Sequence, residues 1–286
     1  MTDYSGNITV IQKIQLPDGT SYQFGYESNS YGELTSIAFP NSGQVSYSYT
    51  NFADTLGNVN RWVSSRGSSG GTWSYSPQTL TSCPTGYSYC SQLNLTKPSG
   101  DTAVYTFGLS SDSSAAWNTG AIYYNGSALL ANQVKAVSQV WTSDQLTSET
   151  TTMTSAAGAA ISNTVQYSYT GPLLTGISEW KYYTGSLPSN PDRKTSISYY
   201  YGSGSAAINL INRPATTIVT DGAGSNVVAK TVITYDSYGS GGLTSVTGIK
   251  NHDDTNFGSS FTGRGNPTSI QRLVSGTSTY LTTSMT

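Results

Sequence analysis

Leu16-Pro17-Asp18-Gly19-Thr20-Ser21-Tyr22-Gln23-Phe24 holds a pattern that returns twice. It recurs as Phe39-Pro40-Asn41-Ser42-Gly43-Gln44-Val45-Ser46-Tyr47-Ser48-Tyr49 and as Lys97-Pro98-Ser99-Gly100-Asp101-Thr102-Ala103-Val104-Tyr105-Thr106-Phe107. Each version has a proline, a glycine within three residues, and then two aromatics separated by one residue. Proline presets φ for a turn and glycine supplies positive φ, so the chain reverses there. Side chains alternate along a strand, so the two aromatics share one face of the outgoing strand. The pattern predicts a β-hairpin, and its recurrence predicts an all-β chain of antiparallel hairpin repeats with essentially no helix.

The rest of the chain repeats this grammar. Tyr31-Gly32-Glu33-Leu34-Thr35-Ser36-Ile37 and Gly242-Leu243-Thr244-Ser245-Val246 each follow a turn signal with a Leu-Thr-x-β-branched element, and Arg264-Gly265-Asn266-Pro267-Thr268-Ser269-Ile270 is similar. Residues 51–92 and 142–163 read as looser, Gly-, Ser- and Thr-rich insertions, the first with two or three short strands. Apolar residues on both sides of Val134 to Trp141 suggest a strand covered on both faces. Repetition at a spacing of roughly 20–50 residues marks stacked units that share one core, here as a single domain over 1–286.

Composition narrows the function classes. Charged residues make up 10% of the 286, against 22 tyrosines and 30 glycines; about 25% charged is usual for globular chains. A net charge of −2 offers no footprint for nucleic acid. No run of about 20 apolar residues spans a membrane. The surface reads as secreted or cell-surface, and the termini read as those of a piece of a larger chain. Cys83 and Cys90 bracket a short turn-rich loop; a disulfide suits a secreted setting, and two free thiols are the alternative. With two cysteines and one histidine, soft ligands for a metal site are too few, and no cofactor motif is present.

These residues resemble the Tyr-Asp (YD) repeats of RHS proteins, teneurins and insecticidal toxin complexes. Tyr235-Asp236 followed by Gly242-Leu243-Thr244-Ser245-Val246 carries the likeness, with Tyr31 to Ile37 as a looser version. The spacings from Gly43 to Tyr47-Ser48-Tyr49 and from Gly100 to Tyr105-Thr106-Phe107 match the family's Gly-to-Tyr-x-Tyr half. The resemblance implies hairpins coiled into a curved or spiralling sheet, open-barrel or solenoid-like, forming part of a secreted shell. It implies that the repeats enclose a polypeptide or display a surface to a glycan or protein, while chemistry sits in other modules.

Two constellations stand as catalytic alternatives. His252-Asp253-Asp254 groups the sole histidine with two carboxylates, as a general base and its orienting acid require. Neighbours in a strand face opposite ways, however, and Asn, His and Asp also serve simply as turn formers. Glu179 beside Trp180 suits one half of a glycosidase carboxylate pair. A small glycan or ester hydrolase is therefore one alternative to a structural and interaction module. A carbohydrate-binding module using exposed Tyr and Trp is another. Unpaired sheet ends predict edge-to-edge self-association.

Overall fold

A computed structural model describes all residues except 1–5, 8, 29–30, 54–56, 111–114, 155–157, 202–209, 240–241, 247 and 286. Among the described residues, eighteen strands, 58% of the chain, belong to one open antiparallel sheet, with 3% helix. The chain forms two compact units. The first holds β1 (Lys13–Gln15), β2 (Ser21–Tyr26), β3 (Leu34–Ala38), β4 (Gln44–Ala53), β5 (Val59–Ser68), β6 (Gly71–Thr79), β7 (Tyr87–Thr96), β8 (Thr102–Ser110), β9 (Ala116–Tyr124) and β10 (Gln133–Thr142). β11 (Gln145–Thr154) is divided between the units. The second holds β12 (Ala160–Thr170) from Ile161 onward, β13 (Leu173–Tyr183), β14 (Arg193–Tyr199), β15 (Pro214–Asp221), β16 (Val227–Tyr235), a one-turn helix α1 (Asp254–Phe257), β17 (Pro267–Leu273) and β18 (Tyr280–Ser284). Among the described residues, no helix is long and apolar enough to cross a membrane.

The three quoted stretches are hairpin turns of one construction. The Phe39 N–H donates to the Gly43 carbonyl (2.8 Å) and the Ser42 N–H to the Phe39 carbonyl (3.0 Å). Leu16 to Thr20 and Lys97 to Asp101 repeat both bonds, with the inner donors on Gly19 and Gly100. The left-handed position belongs to Gly19 (φ 86°) and Gly100 (φ 89°), but in the middle version to Ser42 (φ 67°) rather than Gly43. A polar side chain closes each turn: Asp18 accepts from Thr20 N–H (2.9 Å), Asn41 from Gly43 N–H (3.1 Å) and Ser99 from Asp101 N–H (3.4 Å). Asp221 does the same for Ser225 (2.9 Å) at the turn between β15 and β16.

A second device follows each turn. At Tyr26, Tyr49, Tyr169, Tyr199 and Tyr235 the register to the next strand slips, the step falling just before the tyrosine. After the slip, Tyr26 faces Leu34, Tyr169 faces Leu174, Tyr199 faces Pro214 and Tyr235 faces Pro267. The tyrosine then reaches back toward the preceding strand. Tyr49 Oη donates to the Leu34 carbonyl (2.8 Å), Tyr199 Oη to Leu174 (2.7 Å) and Tyr235 Oη to Pro214 (2.9 Å). Tyr26 Oη likewise donates to the Ile11 carbonyl (3.0 Å). A residue such as Leu34 therefore faces one tyrosine and offers its carbonyl to the next. Burial pushes the Tyr49 and Tyr235 hydroxyls above their ordinary range, which keeps them protonated donors. In β8 the slip falls before Phe107, whose ring has no hydroxyl to donate.

Few side chains are removed from water. In the first unit Val45, Cys90, Ala103 and Ala121 are buried; in the second, Trp180 and Tyr235 are. Thr164 is 2% exposed and its hydroxyl shares hydrogen bonds with Thr150 and Tyr183, both 2.8 Å. Cys83 and Cys90 form a disulfide with Cα atoms 5.4 Å apart. The Gly- and Ser-rich residues after Phe52 supply β5 and β6, whose inward positions are Trp73, Tyr75 and Pro77. β10 is not covered on both faces: Val134 and Val140 are exposed, while Val137 and Trp141 lie against the sheet. Trp141 stacks on Trp117 at 4.6 Å. Asn29-Ser30, Gly202-Ser203-Gly204 and Ala156-Ala157 lie outside the described residues.

Tyr235→Phe keeps the ring and deletes one bond, so it is expected to lower stability by about 1 kcal/mol in denaturant titration. The turn carboxyls give a second outcome. Asp18, Asp101 and Asp221 are held below the usual carboxylate range, chiefly by the side chains of Thr20, Ser99 and Asn226 respectively. Folded values below unfolded ones stabilise the turns fully above the ordinary value of about 3.9, and that contribution is lost as pH falls through the folded values. Protection against amide exchange at these three turns, measured relative to the unfolded chain at the same pH, is expected to fall together below about pH 4.

Candidate functional site

The segment between β16 and β17 departs most from the hairpin grammar. Its ends are tied by Asp236, which follows the strut tyrosine Tyr235. One Asp236 oxygen accepts from Gly265 N–H (2.8 Å); the other accepts from Asn266 N–H (3.0 Å) and Tyr238 Oη (2.9 Å). Thr268 Oγ1 donates to the Thr234 carbonyl (3.1 Å) and accepts from Ser237 N–H (3.2 Å). The literal Tyr-Asp pair thus closes the neck of a loop. Leu243-Thr244-Ser245-Val246 is not a strand; the place beside β16 is taken by Pro267-Thr268-Ser269-Ile270, since Tyr235 faces Pro267.

Inside the loop, Asn251 at φ 60° turns the chain into α1. Asp253 caps that helix by accepting from Asn256 N–H (3.1 Å) and Asn256 Nδ2 (2.6 Å). These bonds, with the Asn256 side chain foremost, hold the Asp253 carboxyl below its ordinary range. Arg264 satisfies carbonyls at the far end of the helix: Nη2 donates to Phe257 (2.7 Å) and Gly258 (2.8 Å), and Nε to Phe261 (2.8 Å). Phe257 and Phe261 pack edge to face at 5.3 Å. Uncapped carbonyls at a helix end need such partners.

The three members of the histidine cluster separate accordingly. Asp253 faces the helix backbone. His252 and Asp254 meet, with 2.8 Å between Nδ1 and the Asp254 carboxylate. A carboxylate only accepts, so Nδ1 carries the proton and Nε2 is the free base in the neutral ring. Both side chains line a cleft of about 120 Å³ with Ser245 and Ser259. Nε2 has no hydrogen-bond partner among the described residues, so no serine is engaged as a nucleophile. The Asp254 side chain is 77% exposed, so water screens it from the imidazole. Glu179 is committed elsewhere, in a bidentate pair with Arg193 across β13 and β14 (2.6 and 2.7 Å).

The sequence places Arg264 at the head of a repeat element but does not show its capping role, although an arginine three residues after Phe261 in a chain this poor in charge is a signal for backbone capping. Arg66 escaped the sequence reading, as a lone charge in a Ser- and Gly-rich stretch.

No family model and no curated relative matches the chain. Among solved structures, a porin-like protein from Bacteroides uniformis ATCC 8492 aligns over 94% of this chain and 92% of that one, at 11% identity and a TM-score of 0.27. A structure of TcdB2-TccC3-TEV aligns over 95% of this chain and 16% of that one, at 9% identity and a TM-score of 0.24. At such scores neither likeness carries an argument about fold or function.

Asp236→Ala removes a charged acceptor from two backbone donors and a tyrosine hydroxyl. It is expected to cost about 2 kcal/mol and to raise amide exchange at Gly265 and Asn266, while exchange in β2 to β4 stays unchanged.

Proposed function

We propose that this chain is a structural and interaction module, a segment of a secreted or cell-surface YD-repeat array without catalysis of its own. The observation that carries this reading is the repeated tyrosine strut. The same slip, tyrosine and back-reaching hydroxyl recur along the chain, so the ordered polar chemistry of these strands goes into holding hairpins together. The candidate catalytic groups are spent similarly: Asp253 caps a helix turn and Glu179 pairs with Arg193. Such an array presents a surface or encloses a polypeptide.

A second reading, a small glycan or ester hydrolase, is favoured by one arrangement: His252, oriented by Asp254, beside Ser245 and Ser259 in one cleft. It requires a serine hydroxyl to reach Nε2. A panel of fluorogenic esters and glycosides, run on wild type and His252→Ala, separates the two. Neither protein is expected to turn over any substrate above buffer. Turnover by the wild type that His252→Ala abolishes would replace the structural reading with the hydrolase.

A further inference from the structure

The strands β4 to β7 carry a second concavity on one face, of about 520 Å³, within the range of small-ligand sites. Tyr47, Arg61, Trp62, Arg66, Tyr75 and Leu93 line it. Cross-strand register places Arg66 beside Tyr47 on one side and Trp73 on the other. Arg66 is half-buried, and its guanidinium has no hydrogen-bond or ion-pair partner among the described residues. The other half-buried arginines differ. Arg61 forks onto Glu33 (2.8 and 2.6 Å), Arg264 caps carbonyls, and Arg213 reaches Asn212 (3.4 Å). Withdrawing a cation partly from water without an acceptor is costly, and a guanidinium matches a carboxylate with two parallel bonds. The Tyr47 and Tyr75 hydroxyls also have no partner among the described residues. An apolar, aromatic-walled cleft is therefore on offer, with two idle hydroxyls and two guanidinium groups, of which Arg61 is already committed to Glu33 and Arg66 is not.

We propose that this cleft binds a uronate, a carboxylate-bearing sugar residue of an acidic glycan. The sugar carboxylate takes Arg66, the C–H face of the pyranose lies against the Tyr47 and Tyr75 rings, and its hydroxyls pair with the hydroxyls of the same tyrosines. A small inorganic anion would leave the aromatic walls unused, and a neutral sugar would leave the guanidinium unpaired. The site shares no residue with the His252 cleft and does not depend on the module reading.

Calorimetric titration with trigalacturonate, its neutral methyl ester and an acidic Asp/Glu tripeptide tests the proposal on the whole chain. Saturable binding of the acid is expected, weakening with salt, with the ester and the peptide at least tenfold weaker. Arg66→Gln, which removes a charge-assisted pair, is expected to weaken the acid by about tenfold or more. Arg66→Lys should fall between, and Arg193→Gln, outside the cleft, should match wild type. Circular dichroism checks each variant's fold; if Arg66→Gln misfolds, Tyr75→Ala and the comparison of acid with ester still decide. No saturable binding of the acid, equal binding of the ester, or undiminished binding by a folded Arg66→Gln would overturn the proposal. Tighter binding of the acidic peptide would also overturn it and make the cleft a peptide site.

Discussion

A tyrosine hydroxyl donating to the carbonyl at the start of the strand behind it is the bond on which the hairpin array depends. Backbone pairing alone fixes neighbouring strands, but a slip of one residue would turn every side chain to the opposite face. The strut resists that slip. Tyr49 reaches the Leu34 carbonyl only if β3 and β4 hold their register, and Tyr199 and Tyr235 impose the same condition on Leu174 and Pro214. The extra residue at each slip supplies the local bend, as bulges do. Where Phe107 replaces tyrosine, neighbouring strands carry other fastenings. Asp101 accepts from Gly126 N–H (2.9 Å), and the Cys83–Cys90 disulfide anchors β7.

Long-range ionic and polar bonds then decorate a frame already fixed. Arg61 joins Glu33 across 28 positions of sequence, between Tyr31 and Tyr49. Asp236 spans 29 positions to Gly265. These bonds hold the loops that the hairpin grammar leaves loose, and the His252 cleft exists because Asp236 and Arg264 have shaped its walls.

The turns were legible because their chemistry is local. Pro40, Asn41 and Gly43 close a loop with atoms from five consecutive residues, and Pro17 to Thr20 and Pro98 to Asp101 do the same. The alternation of Val45, Tyr47 and Tyr49 was legible for a related reason, since a strand's faces repeat every second residue. What tyrosine does with its hydroxyl was not, because the acceptor lies 15 to 25 positions upstream and its distance depends on a slip that composition does not mark. The His252 group was visible as a cluster. Its division into a helix cap and a separate His–Asp contact was not, because that depends on where a four-residue helix begins. Leu243 to Val246 misled for the same reason: a similar local pattern at Pro267 to Ile270 occupies the strand position instead.

Among the described residues, the registers from β1 with β2 to β9 with β10, and from β12 with β13 to β17 with β18, join neighbours in the sequence. Such a sheet needs no distant partner before it can begin to form, so loop-closure entropy is met one hairpin at a time. A chain of this kind can fold directionally as it emerges from a ribosome, each new strand adding to a finished edge. The growing edge is also its exposed liability: until the next hairpin arrives, the last strand is open to pairing with another chain.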